Sequence, residues 1–246
     1  MKKRLLVLGL AFTMLAATAC GTSSDDGNKT SKADKTVTAT SNSDKTSETQ
    51  KNDDKKDDAK ESYKSADDIT MDDLKNHEET PAEDFKYRDK SNGEAVIKEY
   101  TGDDPIVVIP NEIDGKKVVD FGKIFTNNKD IVAVRVGDNV ENIKEGAFGN
   151  CDNLKYIILG KNVKVFEHGN VGGKKFEQLE LNDGLEQLGE EGTSGAVIIL
   201  NKDKVEVKIP ESVNHMAFTG AKTLIVKAGS YAESFAKEHN MDYRVE

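Results

Sequence analysis

The sequence predicts a β-rich solenoid over residues 81–246, and three observations carry that prediction. The first is a repeated spacing: Val140, Ile143 and Phe148 follow Val136 by four, seven and twelve residues, and the same intervals recur after Leu159. The second is a series of short runs in which apolar and polar residues alternate, as in half-buried strands. The third is a distinct segment at each end of the array. Repeats of about 20–30 residues stack so that each buries its apolar row against its neighbours.

A hairpin is expected at the start of the array, between Tyr87 and Tyr100. Ser91-Asn92-Gly93 supplies the turn, and the run from 94 to 98 supplies the second strand. Glycine tolerates the backbone angles that tight hairpin turns require. Such a hairpin can cover the first open edge of a solenoid, where a terminal cap is needed.

The repeat strands follow, each with an inner and an outer face. Their inward positions are expected to include Val132, Val134, Val136, Ile157, Leu159, Leu179, Leu181, Val205, Val207, Ile209, Leu224 and Val226. The alternate positions would share one exposed outer face, formed by Ala133, Arg135, Tyr156, Ile158, Gln178, Glu180, Glu206 and Lys208. The apolar run 196–200 lies outside this register. It fits either a degenerate rung or one arm of a hairpin that turns at 201–204.

The chain is expected to end in a helix-strand cap. Ser230 with Glu233 three residues later is the pattern of a capping box, so a helix should run from Tyr231 to His239. Asn240 suits the left-handed position after the helix, and 241–245 would return as a last strand.

Three strings within the array resemble the BspA-type bacterial leucine-rich repeats. They are Ile109-Pro110, the stretch from Glu112 to Val118, and the stretch from Ala147 to Lys155; Ile209-Pro210 restarts the phrase. The resemblance covers roughly 85–246. It departs at 170–171, where Ala-Phe is expected, at Lys174, which stands at the Cys position, and again over 189–195. The resemblance implies a curved parallel-sheet solenoid on a cell surface, used for adhesion or protein interaction, and it leaves the ligand open.

Residues 1–19 have the pattern of a lipoprotein signal peptide. Three basic residues at 2–4 precede an apolar run from Leu5 to Ala16, which is too short to span a bilayer comfortably. Small residues then lead to Cys20, although Ala17 stands where Leu is commoner. We expect Cys20 to carry a diacylglyceryl group that anchors the chain in a bacterial cell membrane, facing the extracellular side. The alternative is ordinary secretion with a chance cysteine.

Residues 20–80 are predicted to be the lipidated cysteine and a disordered tether. Ser, Thr, Asp, Lys, Asn and Glu dominate this stretch, which therefore has too little apolar surface to offset the entropy of ordering. The segment would lift the repeat domain, 81–246, off the membrane. Ile69, Met71 and Leu74 leave open a brief helix near its end.

Charge and motif spacing argue against several classes of function. The chain has 35 basic and 45 acidic residues and shows no basic stripe, which argues against nucleic-acid binding. Its four histidines lack metal-ligand spacing, and Asp103, Asp104 and Asp152 lack the spacing of a calcium loop. The run 169–175 resembles a phosphate loop but misses its required Gly and Ser or Thr. Cys151 is expected in the core as a small hydrophobe. We therefore expect no enzyme activity, cofactor or metal.

The leading hypothesis is a monomeric, surface-anchored interaction or adhesion module that binds an extracellular protein or glycan. Candidate partner-binding residues are Arg135, Tyr156, Ile158 and Glu180, because Arg and Tyr are enriched at interface hot spots. An alternative is a substrate-capture lipoprotein that serves a transporter or a surface enzyme complex, which would need a deep cleft between two lobes. A degraded or accessory enzyme would instead need convergent polar side chains.

Overall fold

The computed structural model describes residues 65–190 and 195–246, which fall within the second of two compact units, Asp58–Glu246. In that part the chain winds into a β-solenoid of about six turns. Two short 3-10 helices, Ala66–Asp68 and Ala82–Asp84, accompany α1 (Met71–Asn76) and α2 (Tyr231–Glu238). None of the described helices has the length and apolar character to cross a membrane.

The described strands are short, as expected for solenoid rungs. Numbered along the chain, they are β1 (Phe85–Asp89), β2 (Ala95–Tyr100), β3 (Ile106–Val108), β4 (Glu112–Ile113), β5 (Lys116–Phe121), β6 (Ala133–Arg135), β7 (Asn142–Ile143), β8 (Tyr156–Ile158), β9 (Val165–Phe166), β10 (Gly169–Val171), β11 (Gln178–Glu180), β12 (Gln187–Leu188), β13 (Val197–Ile199), β14 (Glu206–Lys208), β15 (His215–Met216), β16 (Phe218–Thr219), β17 (Thr223–Val226) and β18 (Tyr243–Val245).

Successive turns of the chain stack their strands into four sheets. The long sheet has the order β1-β2-β5-β7-β9-β12-β15, with β4 paired to β5 beside it. The lateral sheet has the order β3-β6-β8-β11, the terminal sheet β14-β17-β18, and the short sheet β10-β13-β16. The pairs β1/β2 and β4/β5 are antiparallel, and the ladders between turns are parallel. Parallel pairing follows because each turn brings the chain back in the same direction.

The predicted N-terminal hairpin is confirmed. Phe85 pairs with Tyr100 across β1 and β2, and β2 then pairs with β5 of the next turn. The rings of Phe85 and Tyr100 lie 5.3 Å apart, and Tyr100 contacts Phe125 at 5.8 Å. The hairpin therefore closes the first edge of the solenoid and joins its core.

A second hairpin joins β4 to β5. Its turn places Asp114 and Gly115 at positive φ, 52° and 73°, as a tight hairpin turn requires.

One apolar core runs through the stacked turns, and the repeated spacing places its members. Val140, Ile143 and Phe148 are buried in this core, as the intervals predict. Phe148 contacts the rings of Phe121, Phe125 and Phe166 at 5.9–6.0 Å, so the aromatic contacts cross from one turn to the next.

Cys151 is buried in the same core, as predicted for a small hydrophobe. Its Sγ donates to the backbone oxygen of Phe125 at 2.9 Å. Burial raises the pKa of the thiol to about 11. The thiol is therefore protonated at neutral pH, which makes it a poor nucleophile.

The structure decides the alternatives left open for 196–200. Val197–Ile199 forms β13, which pairs in parallel with β10 on one side and β16 on the other, so this run is a rung and not a hairpin arm. The short sheet begins at Gly169–Val171, where the sequence loses the Ala-Phe phrase of the earlier repeat. In that earlier repeat the corresponding residues, from 145 to 150, form a turn instead of a strand.

The C-terminal helix and strand are present, with shorter boundaries than predicted. The predicted capping box is half formed, because the Glu233 carboxylate accepts from the Gly229 N–H. The Ser230 hydroxyl accepts from the backbone N–H of Glu233 at 3.2 Å, and α2 ends at Glu238, with His239 as its C-cap. Asn240 takes positive φ, 52°, as expected after the helix. β18 then pairs in parallel with β17 and closes the terminal sheet.

The folded part begins earlier than residue 81, which corrects the predicted boundary. Ile69 and Leu74 are both 0% exposed, and Thr70 and Asp73 form a capping box at the start of α1. The brief helix suggested by the apolar residues of this stretch is therefore present. The predicted signal peptide, Cys20 and the tether up to residue 64 lie outside the described residues.

Candidate functional site

The outer face of the lateral sheet contains the predicted binding residues, and the strand register brings them together. Tyr156 lies between Ala133 and Gln178 in one row across β6, β8 and β11. Arg135, Ile158 and Glu180 form the next row, because Ile158 pairs with Arg135 on one side and with Glu180 on the other. The four candidate binding residues therefore share a face, as predicted. Glu206 and Lys208 were expected on the same sheet but belong to β14 of the terminal sheet.

Half of this face is covered by the chain's own residues 65–80, which we call the strap. Tyr156 is 8% exposed and Ala133 is fully buried, so the expectation of an exposed apolar patch at Tyr156 was wrong. The strap's Ile69 and Leu74 pack into a small apolar cluster separate from the main core. On the solenoid side this cluster consists of Ile106, Val132, Ala133 and Tyr156, with Ile158 at its edge. When these two aliphatic side chains are buried, they also remove from water the apolar surface on the outer face of the lateral sheet, which stabilises the docked strap.

Basic side chains of the solenoid hold the main chain of the strap. Lys155 is 7% exposed, and its Nζ donates to the carbonyl oxygens of Ile69 at 2.9 Å and Asp67 at 3.3 Å. The guanidinium of Arg135 donates to the carbonyl oxygen of His77. A buried cation needs such partners, because an unsatisfied one would cost several kcal/mol, roughly.

Further polar contacts fix the two ends of the strap. At its C-terminal end, the Thr80 N–H donates to the Val108 carbonyl at 3.0 Å, and the Thr80 hydroxyl accepts from the Val108 N–H at 2.9 Å. Within α1, the Lys75 ammonium donates to the Glu180 carboxylate at 2.9 Å. At the other end, Lys175 pairs with Asp67 at 3.0 Å.

Tyr156 packs beneath the strap and is not available to a binding partner. Its hydroxyl donates to the Glu177 carboxylate at 2.7 Å, while its ring packs under the strap. Burial, followed by the hydrogen bond to Glu177, raises the pKa of Tyr156 to about 12. The hydroxyl therefore serves as a hydrogen-bond donor at neutral pH.

The other half of the face is open and contains a groove of about 570 Å³. It lies between β11, the last strand of the lateral sheet, and β14, the first strand of the terminal sheet. The outward side chains of three strands form its floor: Gln178 and Glu180 of β11, Glu206 and Lys208 of β14, and Ile225 of β17.

The two charged residues of β14 in this groove are paired with residues at the C-terminal end of the chain, across the intervening strand β17. Glu206 accepts from Arg244 at 3.4 Å, and Lys208 pairs with Glu246. Hydrogen bonding to Glu246 raises the pKa of Lys208. The surface thus presents charge of both signs beside apolar residues that include Ile225 and Pro210.

The other sequence motifs take structural roles. Residues 169–171 are a strand, so the run that resembled a phosphate loop is part of the short sheet. Asp104 accepts from the Ile106 N–H at 2.9 Å, and Asp152 pairs with Lys129 at 2.7 Å. Across residues 65–190 and 195–246 there is no group of three or more His, Cys, Asp or Glu side chains arranged to hold a metal ion.

Comparison with known proteins gives similarity at the level of solved structures. No family model matches the chain, and no curated protein matches it. A leucine-rich-repeat protein of Treponema pallidum is 23% identical, with a TM-score of 0.49 over 60% of this chain and 71% of that one. A leucine-rich-repeat protein of Bacteroides capillosus is 20% identical, with a TM-score of 0.38 over 59% and 95%. A leucine-rich cell surface protein of Faecalibacterium prausnitzii is 16% identical, with a TM-score of 0.35 over 58% and 53%.

These structural neighbours are bacterial leucine-rich-repeat proteins. At this level of similarity they say nothing about what the chain binds. The assignment of this chain as a solenoid rests on its own parallel ladders and continuous core.

Proposed function

We propose that this protein is a lipid-anchored, extracellular interaction or adhesion module of the BspA type, which presents the open half of its lateral face to a protein or glycan partner. The observation that carries the proposal is the groove between β11 and β14, which is open and sits on rigid strands. Binding, without catalysis, is the role that such a surface supports.

The geometry of the groove suits recognition of a macromolecule. Parallel strands hold outward side chains in fixed rows, with neighbouring strands about 4.8 Å apart. Glu180, Glu206 and Lys208 offer charge of both signs, and Ile225 offers apolar contact. Paired charges of both signs favour a partner with a complementary pattern over a uniformly charged polymer.

The proposed membrane anchor is the diacylglyceryl group on Cys20. Two acyl chains hold a protein at a membrane far more firmly than one, since each buried methylene contributes about 0.8 kcal/mol. Mass spectrometry of the mature N-terminus should find diacylglyceryl-modified Cys20. Cys20→Ser should release the protein into the medium or leave the precursor uncut. A mature chain that starts elsewhere, or an unmodified Cys20, contradicts the anchor.

The binding surface can be tested on glycan arrays and by pull-down from extracellular matrix, with the mature full chain as bait. For a partner found in this way, the double substitution Glu206→Ala and Arg244→Ala should weaken binding more than tenfold without changing the melting temperature. A matched control removes another exposed ion pair, Lys164–Glu186, whose atoms lie 3.1 Å apart on the long-sheet side. Equal affinity of the two variants would remove the groove as the binding site.

A further inference from the structure

We propose that the covered half of the lateral face is a binding site for acidic peptides, and that the strap is its built-in occupant. A peptide with the strap's pattern could then exchange with it. This site adjoins the open groove, since Glu177 and Lys204 line both the groove and a small cavity at the N-terminal end of the strap. It is inferred from how residues 65–80 are held and not from any external partner.

The first observation is that the solenoid binds the main chain of the strap. Lys155 and Arg135 donate to three of its carbonyl oxygens, those of Asp67, Ile69 and His77. Contacts to carbonyl oxygens do not depend on which side chains the bound segment has. Peptide-binding proteins commonly obtain affinity from the main chain and specificity from pockets for selected side chains.

The second observation is an apolar cluster on the outside of the sheet. Ile69 and Leu74, five residues apart, pack into it, and both are fully buried. Neither residue belongs to the main core among the described residues, which is built from the solenoid's inward side chains. Release of the strap would therefore expose one small cluster while leaving that main core packed, which is the character of a local opening.

The third observation is charge complementarity at the N-terminal end of the strap. A cavity of about 260 Å³ next to Asp67 is lined by four lysines together with Glu177 and Asn201. The lysines are Lys155, Lys174, Lys175 and Lys204. The strap itself is acidic, with Asp67, Asp68, Asp72, Asp73, Glu78 and Glu79 in its sixteen residues. The fitting partner is an acidic peptide with two aliphatic residues five positions apart.

Because the strap is part of the same chain, it competes at a high effective concentration, on the order of millimolar for a short connection. An external peptide should bind weakly while the strap is docked and much more tightly once the strap is disabled. This difference provides the test.

The experiment uses a fluorescently labelled synthetic peptide with the sequence of residues 65–80, titrated into the full chain while anisotropy is recorded. The full chain carrying Ile69→Asp and Leu74→Asp should bind this peptide at least tenfold more tightly than the unsubstituted chain. The matched control carries Asn76→Ala, which alters an exposed position of the same helix, and should behave like the unsubstituted chain. Adding Lys155→Ala to the opened chain should weaken binding at least tenfold.

Two outcomes would overturn the proposal. One is a folded opened chain that does not bind the peptide. The other is equal binding of a peptide that itself carries Ile69→Asp and Leu74→Asp, since the apolar cluster would then have no role.

If the opened chain fails to fold, amide hydrogen exchange of the unsubstituted chain provides a second test. The amides of Leu74 and Thr80 should exchange faster than those of β6 and β8. Exchange at the same rate as the lateral strands would show that the strap opens only with the whole fold, and would refute the proposal. None of these results depends on an external partner, so they are separable from the test of the open groove.

Discussion

Truncation of Phe148 to alanine should be among the most destabilising single changes in this protein. The side chain is 1% exposed and contacts the rings of Phe121, Phe125 and Phe166, at 6.0, 5.9 and 5.9 Å. A core Phe→Ala change costs about 3–5 kcal/mol, and each aromatic pair contributes about 0.5–1.5 kcal/mol beyond its buried area. We therefore expect a loss at the upper end of that range, about 4–5 kcal/mol.

The position of Phe148 within the array explains why its loss should be felt widely. Phe121 and Phe125 belong to the preceding turn, and Phe166 belongs to the following one. The stability of a solenoid is approximately the sum of its repeats and the interfaces between neighbours. Phe148→Ala weakens two such interfaces at once, so the array should lose stability on both sides of the substitution.

Urea denaturation followed by far-ultraviolet circular dichroism measures this effect. With a slope of about 2 kcal/mol per molar urea, the midpoint should fall by about 2 M. Phe148→Leu should cost much less, because it keeps most of the volume, and Leu200→Ala at an exposed site should stay within about 0.5 kcal/mol. A loss below about 1 kcal/mol for Phe148→Ala would mean that Phe148 does not join the turns in the way described.

Four further predictions follow from the same packing. A chain beginning at Ser65 should have the same melting temperature as one beginning at Gly21, as calorimetry would show. A chain beginning at Pro81 should melt several degrees lower, and tyrosine fluorescence should report greater exposure of Tyr156. Cys151→Ser should be less stable than Cys151→Ala in urea, because the hydroxyl is buried. The Cys151 thiol, with its pKa raised to about 11, should resist thiol reagents at pH 8, and its contribution to stability should be complete below about pH 9 and lost as the pH rises toward 11, as pH-dependent denaturation would show. Gly160→Ala should cost about 1–3 kcal/mol in urea, because a Cβ there would collide with the carbonyl oxygen of Gly137 in the preceding turn.

The repeat core could be predicted from the sequence because its signal is local and periodic. Val140, Ile143 and Phe148 recur at fixed intervals after Val136, and stacking turns place equal positions above one another. The two caps could be predicted for a similar reason, since Ser230 with Glu233 and the turn at 91–93 each specify a short piece of backbone chemistry. The short sheet was missed because 169–171 and 197–199 lack the phrase that marks the earlier repeats.

The strap could not be placed by local reasoning, because its docking is a tertiary event. Ile69 and Leu74 occur in a polar stretch, and nothing near them in sequence forms the cluster that they pack into. A signal was nevertheless present at two distant places. The outer face had unpartnered apolar residues at Tyr156 and Ile158, and the polar segment had two unpartnered aliphatic residues. Matching these two apolar sets would have predicted the contact.

The two halves of the lateral face share the lining residues Glu177 and Lys204, and an ion pair also joins the strap to the groove. Lys75 of the strap bonds to Glu180, which also lines the open groove. A partner that engages Glu180 in the groove removes this contact from the strap, and a docked strap withholds Glu180 from the partner. Lys75 and Glu180 are both partly exposed, so the pair contributes about 0–1 kcal/mol, which limits the coupling that this pair transmits to about fivefold. The strap and a groove ligand should therefore bias one another weakly, and strong exchange at the covered half requires a ligand that replaces Ile69 and Leu74 themselves.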